Sequence, residues 1–151
     1  MIRTEKRLRI CTALLILNLA FIWGNSLLPG EISGAISDWV KNMLAMLFPG
    51  DGPVSSSGGL IRKIAHFTEF ASLGALFGWL FAMLQKRKCW PIFCGVAAAC
   101  LDEAIQRFVP DRGPSIRDVG IDSCGVIVGM ILLYAGHTYF KKHLKIDLED
   151  K

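Results

Sequence analysis

Four long apolar stretches constrain the fold of this chain more than any other feature of its sequence. They cover residues 10–28, 64–84, 89–109 and 119–140, and a helix that crosses a bilayer needs roughly 20 mostly apolar residues. With 52% hydrophobic and 20% charged residues, the chain is more apolar than soluble domains, which have about 45–50% and about 25%. The sequence therefore predicts an all-α membrane protein of four antiparallel transmembrane helices, formed as one domain over residues 1–151.

A further helix is predicted at residues 32–48, and it differs in character from the four spans. Its apolar residues recur close to the i, i+3, i+4, i+7 rhythm of an amphipathic helix, whereas Asp38, Lys41 and Asn42 take the opposite face. Such a helix is suited to lie along the outer, extracytoplasmic membrane surface, and packing onto a partner protein is the alternative. Residues 49–59 are rich in Gly, Ser and Pro, which predicts a loop.

The placement of basic residues predicts the orientation of the chain. Most Lys and Arg residues lie in the leader at residues 3–9, in the turn at residues 86–88 and in the tail at residues 141–151. Because cytoplasmic loops are enriched in Lys and Arg, both termini are predicted in the cytoplasm, in a multi-pass protein of the plasma membrane. These clusters lack interleaved aromatic residues and adjoin apolar helices, so they indicate anchoring to membrane lipids and no nucleic-acid partner.

The connection between the third and fourth spans concentrates ionisable side chains at the predicted outer surface. Charge at the edge of hydrocarbon is costly and marks a candidate functional site. At about 100° per residue, Asp102, Glu103 and Gln106 fall on one side of the third helix. Asp122 shares a narrow stripe of the fourth helix with the sequence Gly125-x-x-x-Gly129, so its carboxylate is predicted to face neighbouring helices rather than lipid. The same stripe includes Asp118; an alternative to its role in the site, and one compatible with it, is that it caps the start of that helix, near Arg117 or Asp118 itself.

His66 and Glu69 are the predicted partners of these residues. They are three positions apart, so they share a face about one turn inside the outer end of the second span. Gly74 and Gly78 follow on that span as a small-xxx-small pair that lets another helix approach closely. In the alternative, His66 and Glu69 pair only with each other and with Lys63. The predicted site comprises catalytic candidates His66, Glu69, Asp102 and Glu103, and ligand-binding candidates Lys63, Gln106, Arg112, Ser115, Arg117, Asp118 and Asp122.

Several of these residues form motifs that resemble the VanZ-like family. The motifs are Lys63-x-x-His66-Phe-x-Glu69, Asp102-Glu103-x-x-Gln106-x-Phe-Val-Pro, Arg112, Ser115-x-x-Asp118 and Gly125-x-x-x-Gly129, within residues 26–129. The resemblance implies a small bacterial membrane protein related to an accessory of glycopeptide resistance that is associated with teicoplanin tolerance. Phe70 stands where the family usually has Tyr, and Asp122 stands where it usually has Asn. The second departure adds a negative charge in place of an amide.

The carboxylates in this set outnumber the arginines, so cations or protons must balance them in a low-dielectric pocket. In a first hypothesis, the site binds the headgroup of a lipid-linked or peptidoglycan precursor, and Arg112 and Arg117 hold its phosphate or carboxylate. The partners would be membrane lipids, an envelope precursor or a glycopeptide. Binding or modification of that envelope component would contribute to teicoplanin tolerance, with a homo-oligomer as a further option.

A second hypothesis is an enzyme, and two others need no ligand of this kind. His66 with Glu69, Asp102 and Glu103 would supply acid–base or metal-assisted hydrolase or transferase chemistry to a phosphoester or amide. A single His and no nearby ligating Cys favour magnesium or no metal over zinc, and we predict no metal and no cofactor. The remaining alternatives are a structural bundle within a larger complex and a proton-coupled carrier. Four spans are few for a carrier, so it would have to dimerise.

Overall fold

The computed structural model describes residues 2–47 and 58–149, with side chains over residues 4–47 and 59–142. Within these ranges the chain forms five α-helices and no strand, so the all-α prediction is confirmed. Most of the predicted loop at residues 49–59, and Phe48 at the end of the predicted amphipathic helix, lie outside the described residues. The helices are α1 (Ile2–Ser26), α2 (Gly30–Leu47), α3 (Gly58–Met83), α4 (Cys89–Gln106) and α5 (Ile116–Glu149).

In the described part of the chain, three helices are long and apolar enough to cross a membrane: Thr4–Ser26 in α1, Gly59–Met83 in α3 and Ile116–Lys142 in α5. They correspond to the first, second and fourth predicted spans. Helix α4, which has 18 residues and a length of roughly 27 Å, is not among them, because Asp102, Glu103 and Gln106 near its end lower its mean hydropathy. The chain therefore has the helices of a membrane protein, and the third of the four predicted spans is not confirmed by length and composition.

Prolines set the boundaries of the connection between α4 and α5. Helix α4 ends at Gln106 rather than at residue 109, because the residues before Pro110 form turns and a residue that precedes proline disfavours the helical conformation. Helix α5 begins at Ile116, and the Ser115 carbonyl accepts a hydrogen bond from the backbone N–H of Asp118 at 3.0 Å. The predicted role of Asp118 as the N-cap is therefore wrong, since its carboxylate lies inside the first turn. It still lies at the positive end of the helix dipole.

Helix α3 lies at the centre of the bundle and packs against α1, α2, α4 and, most extensively, α5. The buried core forms around Phe70, Leu73 and Phe77 of α3, together with Ile22 of α1 and Val126 of α5. Large apolar side chains cover the outside of the helices instead of polar ones, as is expected where lipid replaces water. Examples more than half exposed are Leu17, Phe21, Ile64, Phe93, Ile131 and Leu132.

Glycines bring α3 and α5 into backbone contact. A Cβ atom on Gly129 would meet the Ala71 carbonyl, and one on Gly125 would lie 2.5 Å from the Phe67 carbonyl oxygen. On the opposite helix, a Cβ atom on Gly74 would meet the Val126 carbonyl. The predicted close-packing stripe of α5 is therefore confirmed. It places Asp122, one turn before Gly125, against the interior of the bundle.

Replacing Gly129 with alanine is expected to lower the free energy of unfolding by about 1–3 kcal/mol. The new methyl group would collide with the backbone of Ala71, which cannot rotate away as a side chain could. Thermal unfolding of the detergent-solubilised protein, followed by circular dichroism, measures the change. Gly120→Ala is the matched control on the same helix, because no described residue lies within 4 Å of its added methyl group. Equal losses in both variants would contradict the close packing of α3 and α5.

Candidate functional site

Asp102 is the centre of a buried polar cluster that joins α1 to α4. Its side chain is fully buried. The Ser26 hydroxyl donates a 2.6 Å hydrogen bond to Oδ1 of Asp102, and Nε2 of Gln106 donates a 2.9 Å hydrogen bond to Oδ2. Nε2 of Gln106 also lies 3.3 Å from the Ser26 hydroxyl oxygen. Three buried side chains from two helices therefore form hydrogen bonds with one another.

His66 and Glu69 face this cluster from the N-terminal half of α3. Nδ1 of His66 lies 3.9 Å from Oδ2 of Asp102, and 14% of the His66 side chain is exposed. Oε1 of Glu69 accepts a 2.9 Å hydrogen bond from the side-chain amide of Asn25. The predicted meeting of His66 and Asp102 is therefore observed. Lys63, the partner in the alternative prediction, is exposed.

Arg112 enters the cluster from the connection between α4 and α5. Its Nη2 donates a 3.1 Å hydrogen bond to the Asn25 carbonyl, whereas Nε and Nη1 are buried and have no partner among the described residues. Burial lowers the pKa of the Arg112 guanidinium from its usual value and nearby Arg62 acts in the same direction, while Asp102, Glu103 and Glu69 oppose them. An arginine keeps its charge even so, so the site contains a half-buried cation with unused donors.

The connection that carries Arg112 is held in place at both ends. The backbone N–H of Ser115 donates a 2.7 Å hydrogen bond to Oε2 of Glu103, and the backbone N–H of Gly30 donates a 3.1 Å hydrogen bond to the Pro110 carbonyl. Gly30 leaves no room for a side chain, because a Cβ atom there would meet the Asp111 carbonyl. Glu103 and Ser115 therefore position Arg112 rather than line the site themselves.

Asp122 reaches the same region from α5. It is fully buried, and neither of its carboxylate oxygens has a hydrogen-bond partner among the described side chains and backbone groups. One donor atom from each of His66, Asp102 and Asp122 can be chosen so that all lie within 4.8 Å of one another. This is a geometry in which one cation could be held.

A cavity of about 370 Å³ opens beside the cluster, between α1, α2, α3 and the connection that carries Arg112. Phe21, Leu28, Ile36 and Ala65 provide apolar walls, and polar or charged side chains provide the rest. Small-molecule sites occupy roughly 300–1,000 Å³ and combine apolar walls with a few fixed polar groups. The cavity lies within this size range and combines both kinds of lining. Its polar lining consists of Asn25, Ser33, Ser37, Arg62, His66, Glu69 and Arg112.

Sequence reasoning placed most of the site and missed its contributions from α1. Asn25 and Ser26 lie near the end of the first predicted span and are not among the predicted site residues, yet they bind Glu69 and Asp102. In the sequence, the indication of this role is a pair of polar residues at the end of an apolar helix. Arg62, rather than the predicted Arg117, lines the cavity with Arg112, whereas Arg117 is exposed.

Comparison with known proteins agrees with these motifs. The sequence profile of the VanZ/LLP1 family matches residues 10–138, which include all of the cluster and the cavity lining. The chain belongs to the VanZ/LLP1 family. No curated protein and no solved structure matches it. The predicted family is therefore confirmed for this VanZ/LLP1 protein, and membership agrees with the three apolar helices in indicating a membrane protein.

Proposed function

We propose that this VanZ/LLP1 protein binds the anionic headgroup of a lipid-linked envelope component in the 370 Å³ cavity. The observation that carries the proposal is Arg112, whose Nε and Nη1 are buried without a partner in the described part of the chain. A charge withdrawn from water costs several kcal/mol unless an opposite charge and hydrogen bonds compensate it. A phosphate or carboxylate would supply both, because arginine matches the geometry of these groups.

The rest of the cavity supports a ligand that is part lipid. Arg62 adds a second cation, and Glu69, whose Oε2 is buried without a partner among the described residues, adds an acceptor for a sugar hydroxyl or an amine. Phe21 and Ile36 also line the cavity and are at least half exposed on the outside of the bundle. An acyl or isoprenoid chain attached to the headgroup would run along these side chains into the bilayer.

This proposal includes a position in the membrane. Both termini lie in the cytoplasm, α4 crosses as the third of four spans, and the cavity opens at the outer leaflet of the plasma membrane. Helix α2 lies on that outer surface, which its uncovered apolar residues support: Ile32, Ile36, Trp39, Met46 and Leu47 are exposed. An amphipathic helix buries such a face at the boundary between headgroups and acyl chains.

Arg112→Ala is expected to weaken binding of a short-chain polyprenyl phosphate by the protein in nanodiscs at least tenfold. Truncating a charged partner of a buried pair costs about 2–5 kcal/mol. The neutral polyprenol of equal length is expected to bind the unsubstituted protein weakly. Arg117→Ala is the control, since Arg117 is exposed and its replacement should leave affinity unchanged.

In a teicoplanin-sensitive bacterial host, the protein is expected to raise teicoplanin tolerance, and Arg112→Ala is expected to abolish the gain.

Two results would decide against this function. Equal affinity for the phosphate and the alcohol would show that the anionic group is not recognised, and an Arg112→Ala variant that binds normally would remove the central contact. Release of inorganic phosphate during the binding experiment would favour a second candidate, a hydrolase or transferase that acts on the same headgroup. The position of His66 supports that candidate, because its imidazole lines the cavity and histidine is the side chain most often used as a general acid or base.

A further inference from the structure

We propose that His66, Asp102 and Asp122 form a buried site for one divalent transition-metal cation, of the Zn²⁺ or Mn²⁺ type. The site lies where α3, α4 and α5 meet. It adjoins the cavity of about 370 Å³, called the headgroup cavity below, and shares His66 with it. It does not depend on the headgroup proposal, because Asp102 and Asp122 are not part of that cavity's lining.

The first observation is the geometry of the donor atoms. They all lie within 4.8 Å of one another, and the pair Nδ1 of His66 and Oδ2 of Asp102 is separated by 3.9 Å. A cation with bonds of about 2.0–2.2 Å holds tetrahedral ligands roughly 3.3–3.6 Å apart. The longest separation therefore has to close by up to about 1.5 Å, which is within the reach of changes in side-chain torsion angles.

The second observation is independent of that geometry and concerns Asp122. The side chain is fully buried, yet neither carboxylate oxygen has a partner within residues 4–47 and 59–142. Buried polar groups are almost always hydrogen-bonded, and an unpartnered buried carboxylate is more costly than a neutral group. Nδ1 of His66 is also buried without a hydrogen-bond partner there. A cation between them would satisfy both groups at once.

There is also space for a solvent ligand. A small cavity of about 10 Å³ lies against His66, Gln106 and Asp122, and a volume of about 10–15 Å³ admits one water molecule. That water would complete a four-coordinate site with three protein ligands. The hydrogen bonds from Ser26 and Gln106 to Asp102 would orient its carboxylate, as the outer partners of metal ligands do.

The donor set selects the class of cation. Imidazole suits zinc, iron and similar first-row metals, and carboxylates suit magnesium, calcium and manganese. One imidazole with two carboxylates is met by Zn²⁺ or Mn²⁺, whereas Ca²⁺ requires 6–8 oxygen ligands, which this buried site does not offer. Two positive charges would also balance the two aspartates, so that the site is neutral overall.

The full chain, purified without an affinity tag and stripped with a chelator, is reconstituted in phosphatidylcholine nanodiscs and titrated with Zn²⁺ or Mn²⁺ in a calorimeter. We expect one cation per chain with micromolar or tighter affinity, and at least a tenfold loss of affinity for Asp122→Asn and for His66→Ala. Asp38→Asn is the control, because it removes the same charge from an exposed aspartate of α2 that takes no part in the site. Its affinity should not change.

Two outcomes would contradict the proposed metal site. No saturable binding by the unsubstituted chain, or equal binding by Asp122→Asn, would mean that the carboxylates are neutralised by protons instead. Circular dichroism of the metal-free variants establishes that they are folded. If Asp122→Asn does not fold, electron spin-echo spectroscopy of Mn²⁺ on the unsubstituted protein decides, since imidazole nitrogen coupling is expected and its absence contradicts ligation by His66. No lipid ligand is added, so a failure of headgroup binding leaves this result unaffected.

Discussion

Replacing Asp102 with alanine is expected to lower the free energy of unfolding by about 3 kcal/mol, because two buried donors lose their acceptor. The Ser26 hydroxyl and the Gln106 amide both donate to this carboxylate, and all three side chains are buried. Alanine also leaves a cavity where the carboxylate was. Unfolding of the detergent-solubilised protein by heat or by sodium dodecyl sulfate measures the loss. Asp38→Ala is the control, since Asp38 is exposed and should change stability by less than about 0.5 kcal/mol.

A neutral isosteric substitution at Asp102 separates the fold from the function. Asp102→Asn keeps the shape of the side chain and one acceptor, so it is expected to unfold within about 1 kcal/mol of the unsubstituted protein. If the cluster has a binding or catalytic role, this folded variant loses teicoplanin tolerance. A variant that keeps tolerance and gains stability would instead show that the cluster only holds the helices together. Replacing a buried charge with a neutral group is often stabilising. An Asp102→Ala variant as stable as the parent would contradict the link between α1 and α4.

The meeting of His66 with Asp102 could be predicted from sequence because hydrocarbon leaves polar side chains few places to lie. Both residues interrupt apolar stretches near one predicted membrane surface, and Arg112 lies in the connection between such stretches. Residues at the same depth on adjacent helices satisfy one another rather than face lipid. The stripe of Gly125 and Gly129 was predictable for a similar reason, since a fixed helical period determines which residues share a face.

The contributions of Asn25, Ser26 and Arg62 could not be predicted in the same way. Hydropathy gives the depth of a residue but not the rotation of its helix about its own axis, and that rotation decides whether Ser26 faces Asp102 or lipid. Arg62 reaches the cavity because α2 packs against α3, a tertiary contact that leaves no periodic signal. The error at Asp118 was a shift of the helix start by one or two residues, which is the usual uncertainty of a helix boundary.

Whether α4 crosses the membrane decides on which side the connection between α4 and α5 lies. Its first residue follows the basic turn at residues 86–88, and its last turns meet His66, near the opposite end of α3. Helix α4 therefore runs alongside most of α3. Its acidic residues Asp102 and Glu103 are buried inside the protein, so its composition overstates the cost of crossing. Trp90, Phe93 and Leu101 face outward and are about half exposed or more, as lipid contact requires.

Fusions of alkaline phosphatase, which is active only outside the cytoplasm, are expected to be active after Gly113 and inactive after Lys88 and Lys142. If α4 did not cross, the pattern would reverse at two sites, with the Gly113 fusion inactive and the Lys142 fusion active. Green fluorescent protein at the same positions is the control, because it fluoresces only in the cytoplasm and must give the complementary result. The headgroup cavity needs the first pattern: the connection that carries Arg112 must lie on the same side as the C-terminal end of α1, whose Asn25 carbonyl it binds at 3.1 Å.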